Sequence, residues 1–162
     1  MDLDRIDRAI LTRLQKDARI SNKELAAEVG LAPSSCHGRV RRLLEEGALR
    51  GFHADVAPRA RGVNLQALVS VQLSGNPRAR LASFLEHALA QEEVVEAFQT
   101  SGANDLLLHV AVRDVEHMRH VVMDVLASRE EVAHLESVVV YGHHRTEGLP
   151  DLFEPETDGA ER

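Results

Sequence analysis

The chemistry-bearing residues of this sequence gather in one short stretch, residues 31–52. It contains the chain's single cysteine, Cys36, and three arginines within four positions, Arg39, Arg41 and Arg42. A cysteine beside cationic groups can act as a reactive thiolate, because positive charge lowers the pKa of the thiol. Arginines can equally bind phosphate, because guanidinium groups donate paired hydrogen bonds to its oxygens. The stretch therefore indicates either a nucleophilic site or an anion-binding helix.

Helical geometry separates the thiol from the basic surface. At 100° per residue, Val40 and Leu43 lie within about 40° of Cys36, which places the cysteine on an apolar stripe. The nearest base, His37, lies about 100° away around the helix, so it is badly placed to activate the thiol. The opposite side carries polar and basic residues: Ser34, His37, Gly38, Arg41, Arg42 and Glu45. We expect a buried, unreactive Cys36 and no catalytic residue here.

Two further helices precede this one. Apolar residues at helical spacing predict a first helix from Leu3 to about Asp17, and Ser21-Asn-Lys-Glu24 is a capping box that begins a short second helix. Pro33 suits the first position of the third helix, and Gly47 ends it. A short helix, a tight turn and a helix with small polar residues in its first turn form a helix-turn-helix, whose second helix enters the major groove.

On this interpretation seven residues contact double-stranded DNA: Lys23, Ser34, Ser35, His37, Gly38, Arg41 and Arg42. His37 and Arg41 would reach base edges, and Lys23 and Arg42 would hold phosphates, which position the protein without reading sequence. Gly38 would permit close approach to DNA. The alternative is a solvated face on which the arginines pair with neighbouring glutamates.

The stretch also resembles the N-terminal half of the Lrp/AsnC (feast/famine) bacterial transcriptional regulators. The shared features are the LDxxDxxIL start, the QxDxR phrase, the ELAxxVGL helix-turn, a cysteine followed by RVRRL, and the closing GxLxGF. The resemblance covers about residues 2–145. One departure is Ala32, where the family usually has a serine as helix N-cap, and losing that oxygen costs about 1 kcal/mol.

Periodicity changes in the second half of the chain. Alternating apolar residues predict strands over Leu65–Leu73, Val94–Thr100, Leu106–Val112 and Leu135–Tyr141, with helices after the first and third. This order is a ferredoxin-like βαββαβ pattern.

We therefore predict an α+β fold in which an N-terminal, winged helix-turn-helix domain joins a C-terminal ferredoxin-like domain. The predicted boundaries are residues 1–52 for the helix-turn-helix, 53–63 for a strand and linker, and 64–145 for the βαββαβ domain. A short strand is expected over Ala48–Val56, and an acidic, disordered tail over 146–162.

The resemblance implies that the second domain binds an amino-acid effector and forms dimers that assemble further, often to octamers. It places the effector pocket beside a Gly-x-x-Asp loop, here Gly102 and Asp105, within the stretch Thr100, Ser101, Gly102, Ala103, Asn104 and Asp105. Hydroxyls and loop amides could hold a carboxylate there, and Asp105 could pair with an α-ammonium group. The alternative is a plain hairpin turn.

The third predicted strand gives independent support for assembly. Leu106, Leu108 and Val110 lie on one of its faces, and Leu107 and Ala111 lie on the other. Two helices cover only one face of a four-stranded sheet, so the second apolar face predicts contact with another subunit. His109 lies on that second face, where we expect a hydrogen-bonded interface residue rather than a ligand.

Charge divides the chain in the same way. Residues 1–60 carry 11 Lys and Arg and 9 Asp and Glu, a net charge of +2, whereas residues 61–162 carry 8 and 17, a net charge of −9. The histidine pairs lack partners at metal-ligand spacing, so neither a metal nor a cofactor is expected. One cysteine, an acidic N-terminus and no long apolar run favour a cytoplasmic protein without membrane contact.

These observations predict a sequence-specific DNA-binding transcriptional regulator that responds to an amino acid and is not an enzyme. Two alternatives stay open at this point. One is an architectural protein that organises DNA with little sequence preference. The other is an enzyme resembling the sirohaem decarboxylases, which share the two-domain architecture.

Overall fold

The structure is a computed structural model that describes residues 2–75, 77–146 and 148–153. It divides the chain into two compact units. One contains the residues up to 54 together with those from 144 onward, and the other contains residues 55–143. Most of the tail predicted to be disordered, residues 147 and 154–162, lies outside the described residues.

Three helices form the first unit: α1 (Arg5–Lys16), α2 (Asn22–Glu28) and α3 (Pro33–Glu45). Asp4 caps α1 and Ser21 caps α2, each through a complete capping box. The predicted helix-turn-helix and the predicted capping box of its second helix are thus confirmed. The core consists of side chains that are at least nine-tenths buried: Ile10, Leu14, Leu25, Ala26, Cys36 and Leu43.

The strand predicted over Ala48–Val56 is wrong. The backbone of residues 48–57 forms no strand in the structure. A strand is stabilised by hydrogen bonds to a neighbouring strand, and the described part of the first unit is otherwise built from helices. Gly51 also has a φ of 149°, which interrupts an extended run. A single 3₁₀ turn, Pro58–Arg61, follows this segment.

The second unit is the predicted βαββαβ arrangement. It contains β1 (Leu65–Leu73), α4 (Pro77–Leu89), β2 (Val94–Gln99), β3 (Leu106–Val112), α5 (Val115–Arg119) and β4 (Val132–Val139). The strands form one antiparallel sheet in the order β2-β3-β1-β4.

Three details of this unit differ from the prediction, of which the smallest is that β2 ends at Gln99 instead of Thr100. The helix after β3 changes to π-helical geometry over His120–Leu126, so it is not uniformly α-helical. Strand β4 begins and ends earlier than the predicted range Leu135–Tyr141, and Tyr141 is fully exposed beyond it.

The sheet has one covered face and one open face. Residues of β1 and β3 alternate between buried and half-buried, and the buried set packs with Phe84, Met118 and Leu126 in a single core. The open face carries Leu68 and His109 opposite each other, and Phe98 and Leu107 opposite each other. Phe98 is 49% exposed and Val138 is 58% exposed on this face.

Candidate nucleic-acid interface and effector loop

Helix α3 is held against α2 at the end that a helix-turn-helix presents to DNA. The Nδ2 atom of Asn22 donates a hydrogen bond to the carbonyl oxygen of Pro33 at 2.8 Å, which joins the first turns of α2 and α3. Ala32 occupies the N-cap with an extended backbone, φ −67° and ψ 145°, but has no side-chain oxygen. The backbone at position 32 therefore has the geometry of an N-cap residue, but there is no side-chain oxygen to accept a hydrogen bond from the first turn of α3.

The residues predicted to contact DNA are all exposed. Six lie on α3: Ser34, Ser35, His37, Gly38, Arg41 and Arg42. Lys23 is exposed on α2. The structure thus presents these side chains to solvent, whereas Cys36 and Leu43 on the same helix are completely buried.

Arg41 has a partner that phosphate or a base could replace. Its Nε atom donates to Oε1 of Glu45 at 2.7 Å, and the two side chains are 75% and 60% exposed. An exposed pair of this kind contributes little stability, because water competes with it. Arg41 can therefore exchange its contact for a nucleic-acid oxygen at small cost.

Arg42 is engaged in a different way. Its Nη2 atom donates to Oδ2 of Asp7 on α1, and Nη1 of Arg39 donates to Oδ1 of the same carboxylate at 2.9 Å. Asp7 is only 1% exposed, whereas the side chains of Arg39 and Arg42 are 30% and 43% exposed. A buried carboxylate thus joins two arginines of α3. We call Asp4, Asp7, Arg39 and Arg42 the acid–arginine cluster.

The pKa values of Asp4, Arg39 and Arg42 are shifted in the directions that favour their charged forms. The Asp7 backbone amide and the Arg39 guanidinium lower the pKa of Asp4 from 3.8 to about 2. Hydrogen bonds from their carboxylate partners raise the pKa of both Arg39 and Arg42. All four groups are linked by hydrogen bonds between charged atoms, the strongest class in proteins.

The role of Asp7 was not among the predictions from sequence. The signal was present, because Asp7 lies three positions before Ile10, which lies four before Leu14, so all three share the buried stripe of α1. A carboxylate on a buried stripe needs a cationic partner. Arg39, at the edge of the stripe of α3, was the available candidate.

Cys36 is not a nucleophile in this environment. Its side chain is completely buried, and burial raises the pKa of the thiol above its usual value. A thiol with a raised pKa is predominantly protonated at neutral pH and reacts slowly.

The predicted effector loop is closed by its own hydrogen bonds. Thr100 donates through its backbone amide to the Asp105 carbonyl at 3.0 Å, and through Oγ1 to the Asn104 carbonyl at 2.7 Å. Ser101, Gly102 and Ala103 are exposed at its tip. The loop is therefore an ordered hairpin connection with accessible amides and hydroxyls.

Asp105 has a structural role in this loop. Its Oδ2 atom accepts a hydrogen bond from the amide of Leu73 at 2.7 Å, two residues beyond Val71, where the pairing of β1 with β3 ends. The carboxylate thereby satisfies an amide that lies beyond the end of the β1–β3 ladder. The structure brings Asp105 to the end of β1, beside the loop tip.

His109 is hydrogen-bonded on the open face of the sheet. Its Nε2 atom lies 2.8 Å from Oε1 of Gln66, and its ring centroid lies 6.0 Å from that of His143. Burial is the main cause that lowers the pKa of His109 below 6.5, while Glu96 opposite it acts in the other direction. A neutral His109 is thus favoured on this face.

Two other histidines of the second unit lie beside carboxylates. His117 lies 2.9 Å from Glu93, and His120 lies 2.9 Å from Asp124. Among residues 2–75, 77–146 and 148–153, no three metal-ligating side chains form a group that could hold an ion. In the same part of the chain, no helix has the length and apolar character needed to cross a membrane.

Comparisons with known proteins agree with this geometry. Residues 3–44 match the AsnC-type helix-turn-helix domain, and residues 66–149 match the Lrp/AsnC ligand binding domain. The HTH-type transcriptional regulator AldR of Mycolicibacterium smegmatis is 46% identical over 144 residues, which are 89% of this chain and 84% of AldR.

Two further proteins extend the comparison. The leucine-responsive regulatory protein of Escherichia coli is 39% identical over 125 residues, covering 77% of this chain and 76% of that protein. A Neisseria meningitidis transcriptional regulator, solved as a complex with L-Met, is 32% identical with a TM-score of 0.81, covering 92% of this chain and 97% of that one.

Proposed function

Because the chain belongs to the Lrp/AsnC family of transcriptional regulators, we propose that it reads specific DNA sites with α3 and responds to an amino acid. The observation that carries the proposal is the two-sided character of α3. Its buried side holds Cys36 and Leu43, while its outward side is polar and basic. The chain is a regulator and not an enzyme, and its place of action is the cytoplasm.

Contacts to DNA are divided between reading and positioning. His37 and Arg41 reach base edges, since both are exposed on the outer face of α3. Arg41 pairs with the N7 and O6 atoms of guanine, releasing Glu45. Lys23 and the first-turn serines of α3 hold phosphates. Gly38 leaves space for close approach, because a Cβ atom there would meet nothing within 4 Å in the free protein.

A second copy of the chain covers the open face of the sheet. Phe98 and Val138 are half-exposed there, beside the half-buried Leu68 and Leu107. An interface of this type is two-fold symmetric, and it presents two helix-turn-helix units to half-sites about one helical turn of DNA apart. Such dimers assemble further into a larger, closed oligomer.

The effector binds beside the loop Thr100–Asp105. Exposed amides at the loop tip and the hydroxyls of Thr100 and Ser101 suit a carboxylate, and Asp105 suits an ammonium group. Among the relatives, one is named leucine-responsive and another was solved with L-Met, which supports an amino acid as the effector class. Binding near a subunit contact shifts assembly if the ligand prefers one assembled state.

The DNA proposal is tested by selecting sites from a random duplex library with the full chain. Affinity is then measured for the enriched site and for a scrambled duplex at one stated salt concentration. Arg41→Ala is expected to lower the preference for the enriched site about 5- to 150-fold, because one bidentate base contact contributes about 1–3 kcal/mol. Arg119→Ala, which removes an equal charge from an exposed side chain of the second unit, is the matched control.

An architectural protein would behave differently in the same experiment. Its contacts would be to phosphates alone, so no sequence would be enriched and Arg41→Ala would weaken binding to every duplex equally. That result would overturn sequence-specific reading by α3.

The effector proposal is tested by thermal shift against each of the twenty amino acids, with the assembled mass measured for any hit. A ligand at 100 times its Kd stabilises the form it binds by about 2.7 kcal/mol. Asp105→Asn keeps an oxygen for the Leu73 amide but loses the charge, so we expect an unchanged melting temperature without ligand and a lost ligand shift. Asp114→Asn, at the N-cap of α5, is the matched control.

A further inference from the structure

We infer that Asp7 is a positioning residue for DNA recognition, which fixes the orientation of α3 and withholds Arg42 from the phosphate backbone. The inference rests on the proposed role of α3 as the reading helix. It concerns a residue that faces the protein interior and does not touch DNA itself.

The contacts of Asp7 restrain α3 at two points. Its two carboxylate oxygens accept hydrogen bonds from Arg39 and Arg42, which are three positions apart and thus nearly one helical turn. One contact would leave α3 able to rotate about its axis, whereas two contacts at different heights oppose both rotation and sliding. The carboxylate therefore sets which residues of α3 face outward.

Asp7 is itself held rigidly. It is the third residue of α1, and its Oδ2 atom accepts a hydrogen bond from the Asp4 amide at 3.2 Å. The Asp7 amide donates to Oδ1 of Asp4 at 2.8 Å, and Arg39 also donates to Oδ2 of Asp4 at 2.6 Å. The restraint on α3 thus originates in the capped N-terminus of another helix.

Apolar packing alone does not supply this restraint. Ile10, Cys36 and Leu43 are completely buried between the helices, but hydrophobic contact is non-directional and tolerates small shifts. A satisfied buried network of charges demands one geometry, because displacement leaves a charge without its partner. Reading bases needs that geometry, since a bidentate contact depends on both distance and angle.

The cluster also decides what Arg42 does. An arginine of α3 without a carboxylate partner would add a phosphate contact, which strengthens binding to all sequences alike. Pairing with the buried Asp7 instead neutralises that charge and raises the pKa of the guanidinium. The pairing therefore lowers the affinity for DNA of any sequence, and it fixes which side of α3 faces the bases.

The experiment compares Asp7→Asn with Glu45→Gln in the full chain. Both variants remove the carboxylate partner of an α3 arginine and add one unit of positive charge. Asp7→Asn is expected to lower affinity for the selected site about tenfold without weakening binding to a scrambled duplex. Glu45→Gln is expected to leave the ratio of the two affinities unchanged. Equal loss on both duplexes with Asp7→Asn would overturn the inference.

A second variant, Arg42→Gln, removes the Arg42 guanidinium and still leaves the Asp7 carboxylate with a cationic partner, because Arg39 continues to donate to it. Arg42→Gln is expected to lower the specificity ratio in the natural chain but to change little in the Asp7→Asn background. In the natural chain the dependence of log affinity on log salt should keep its slope, whereas in the Asp7→Asn background, where Arg42 is released toward phosphate, Arg42→Gln should reduce that slope by about 0.9. If Arg42→Gln instead reduces that slope by about 0.9 in both backgrounds, Arg42 binds phosphate and the inference is wrong.

The experiments distinguish an error in the proposed DNA-reading role of α3 from an error in the proposed role of Asp7. If α3 does not read DNA, Arg41→Ala leaves the specificity ratio unchanged. If α3 reads DNA but Asp7 does not position it, Arg41→Ala lowers the ratio and Asp7→Asn does not.

Discussion

Placing a serine at position 32 should stabilise the DNA-binding unit. Ala32 is the N-cap of α3, and its backbone already has the extended geometry that a capping residue needs. Pro33 has no amide hydrogen, so the amides of Ser34 and Ser35 are the donors that a serine hydroxyl at this position could satisfy. The Ala32 carbonyl already accepts the first helical hydrogen bond, from the Cys36 amide at 3.0 Å.

The magnitude follows from this geometry. Ala32 is exposed, and a serine cap stabilises a helix by about 1 kcal/mol relative to alanine. In a unit of this size, that free energy raises the melting temperature by about 4–8 °C. Thermal unfolding followed by circular dichroism at the helix band measures the change for Ala32→Ser.

Ala27→Ser is the matched control. Residue 27 is exposed inside α2, where serine lowers helix stability by about 0.5 kcal/mol relative to alanine. A melting temperature for Ala32→Ser that is unchanged, or that falls as in the control, would refute the reasoning about the missing cap.

Three further predictions concern other parts of the chain. A chain that ends after residue 147 lacks Leu149, whose amide donates to Oε1 of Gln15 at 2.6 Å, whereas a chain that ends after residue 153 keeps it. Differential scanning calorimetry should therefore show a lower unfolding temperature for the shorter chain only. Because burial within the folded chain lowers the pKa of His109 from 6.5, its protonation opposes folding, so the stability of the second unit should fall as pH drops below about 6.5; thermal unfolding at several pH values should show this fall, and His109→Gln should reduce it. Because the pKa of Asp4 is lowered from 3.8 to about 2, its contribution to stability is complete above about pH 4 and is lost as pH falls toward 2; Asp4→Asn, still a good N-cap, should raise the midpoint pH of acid unfolding.

Periodicity predicted most of the fold because burial has a simple pattern in this chain. Strand β3 alternates strictly between buried and half-buried residues, and its bounds were predicted without error. Capping signals were equally informative, since the box of Ser21 and Glu24 is local chemistry. Strand β4 was harder, because its residues are exposed apart from the half-buried Val132 and Leu135, and these two are three positions apart.

Features that depend on distant residues could not be predicted in this way. The segment Ala48–Val56 has apolar residues at strand spacing, but whether a strand forms depends on a neighbouring strand. Asp105 was recognised as a loop residue, yet its bond to the Leu73 amide depends on where the pairing of β1 with β3 ends. The acid–arginine cluster likewise joins residues that are distant in sequence, since Asp7 lies on α1 and both of its arginine partners lie on α3.

The arginines of α3 that were predicted to contact DNA also form ion pairs within the protein, and the two adjacent arginines do so differently. Helical geometry placed both Arg41 and Arg42 on the outer side, and both are exposed. Sequence alone could not show that Arg42 bends toward Asp7 while Arg41 pairs with an exposed glutamate. The two arginines, adjacent in sequence, therefore have different proposed roles.

Methylation interference at guanine N7 on the selected DNA site tests the central claim most directly. If a symmetric dimer reads DNA with α3, methylated guanines interfere with binding in two clusters, one in each half-site, about 10 base pairs apart. In each cluster, interference at the one guanine that Arg41 contacts should weaken with Arg41→Ala. Binding that tolerates N7 methylation everywhere in the site would contradict the account, because it would show that α3 does not occupy the major groove.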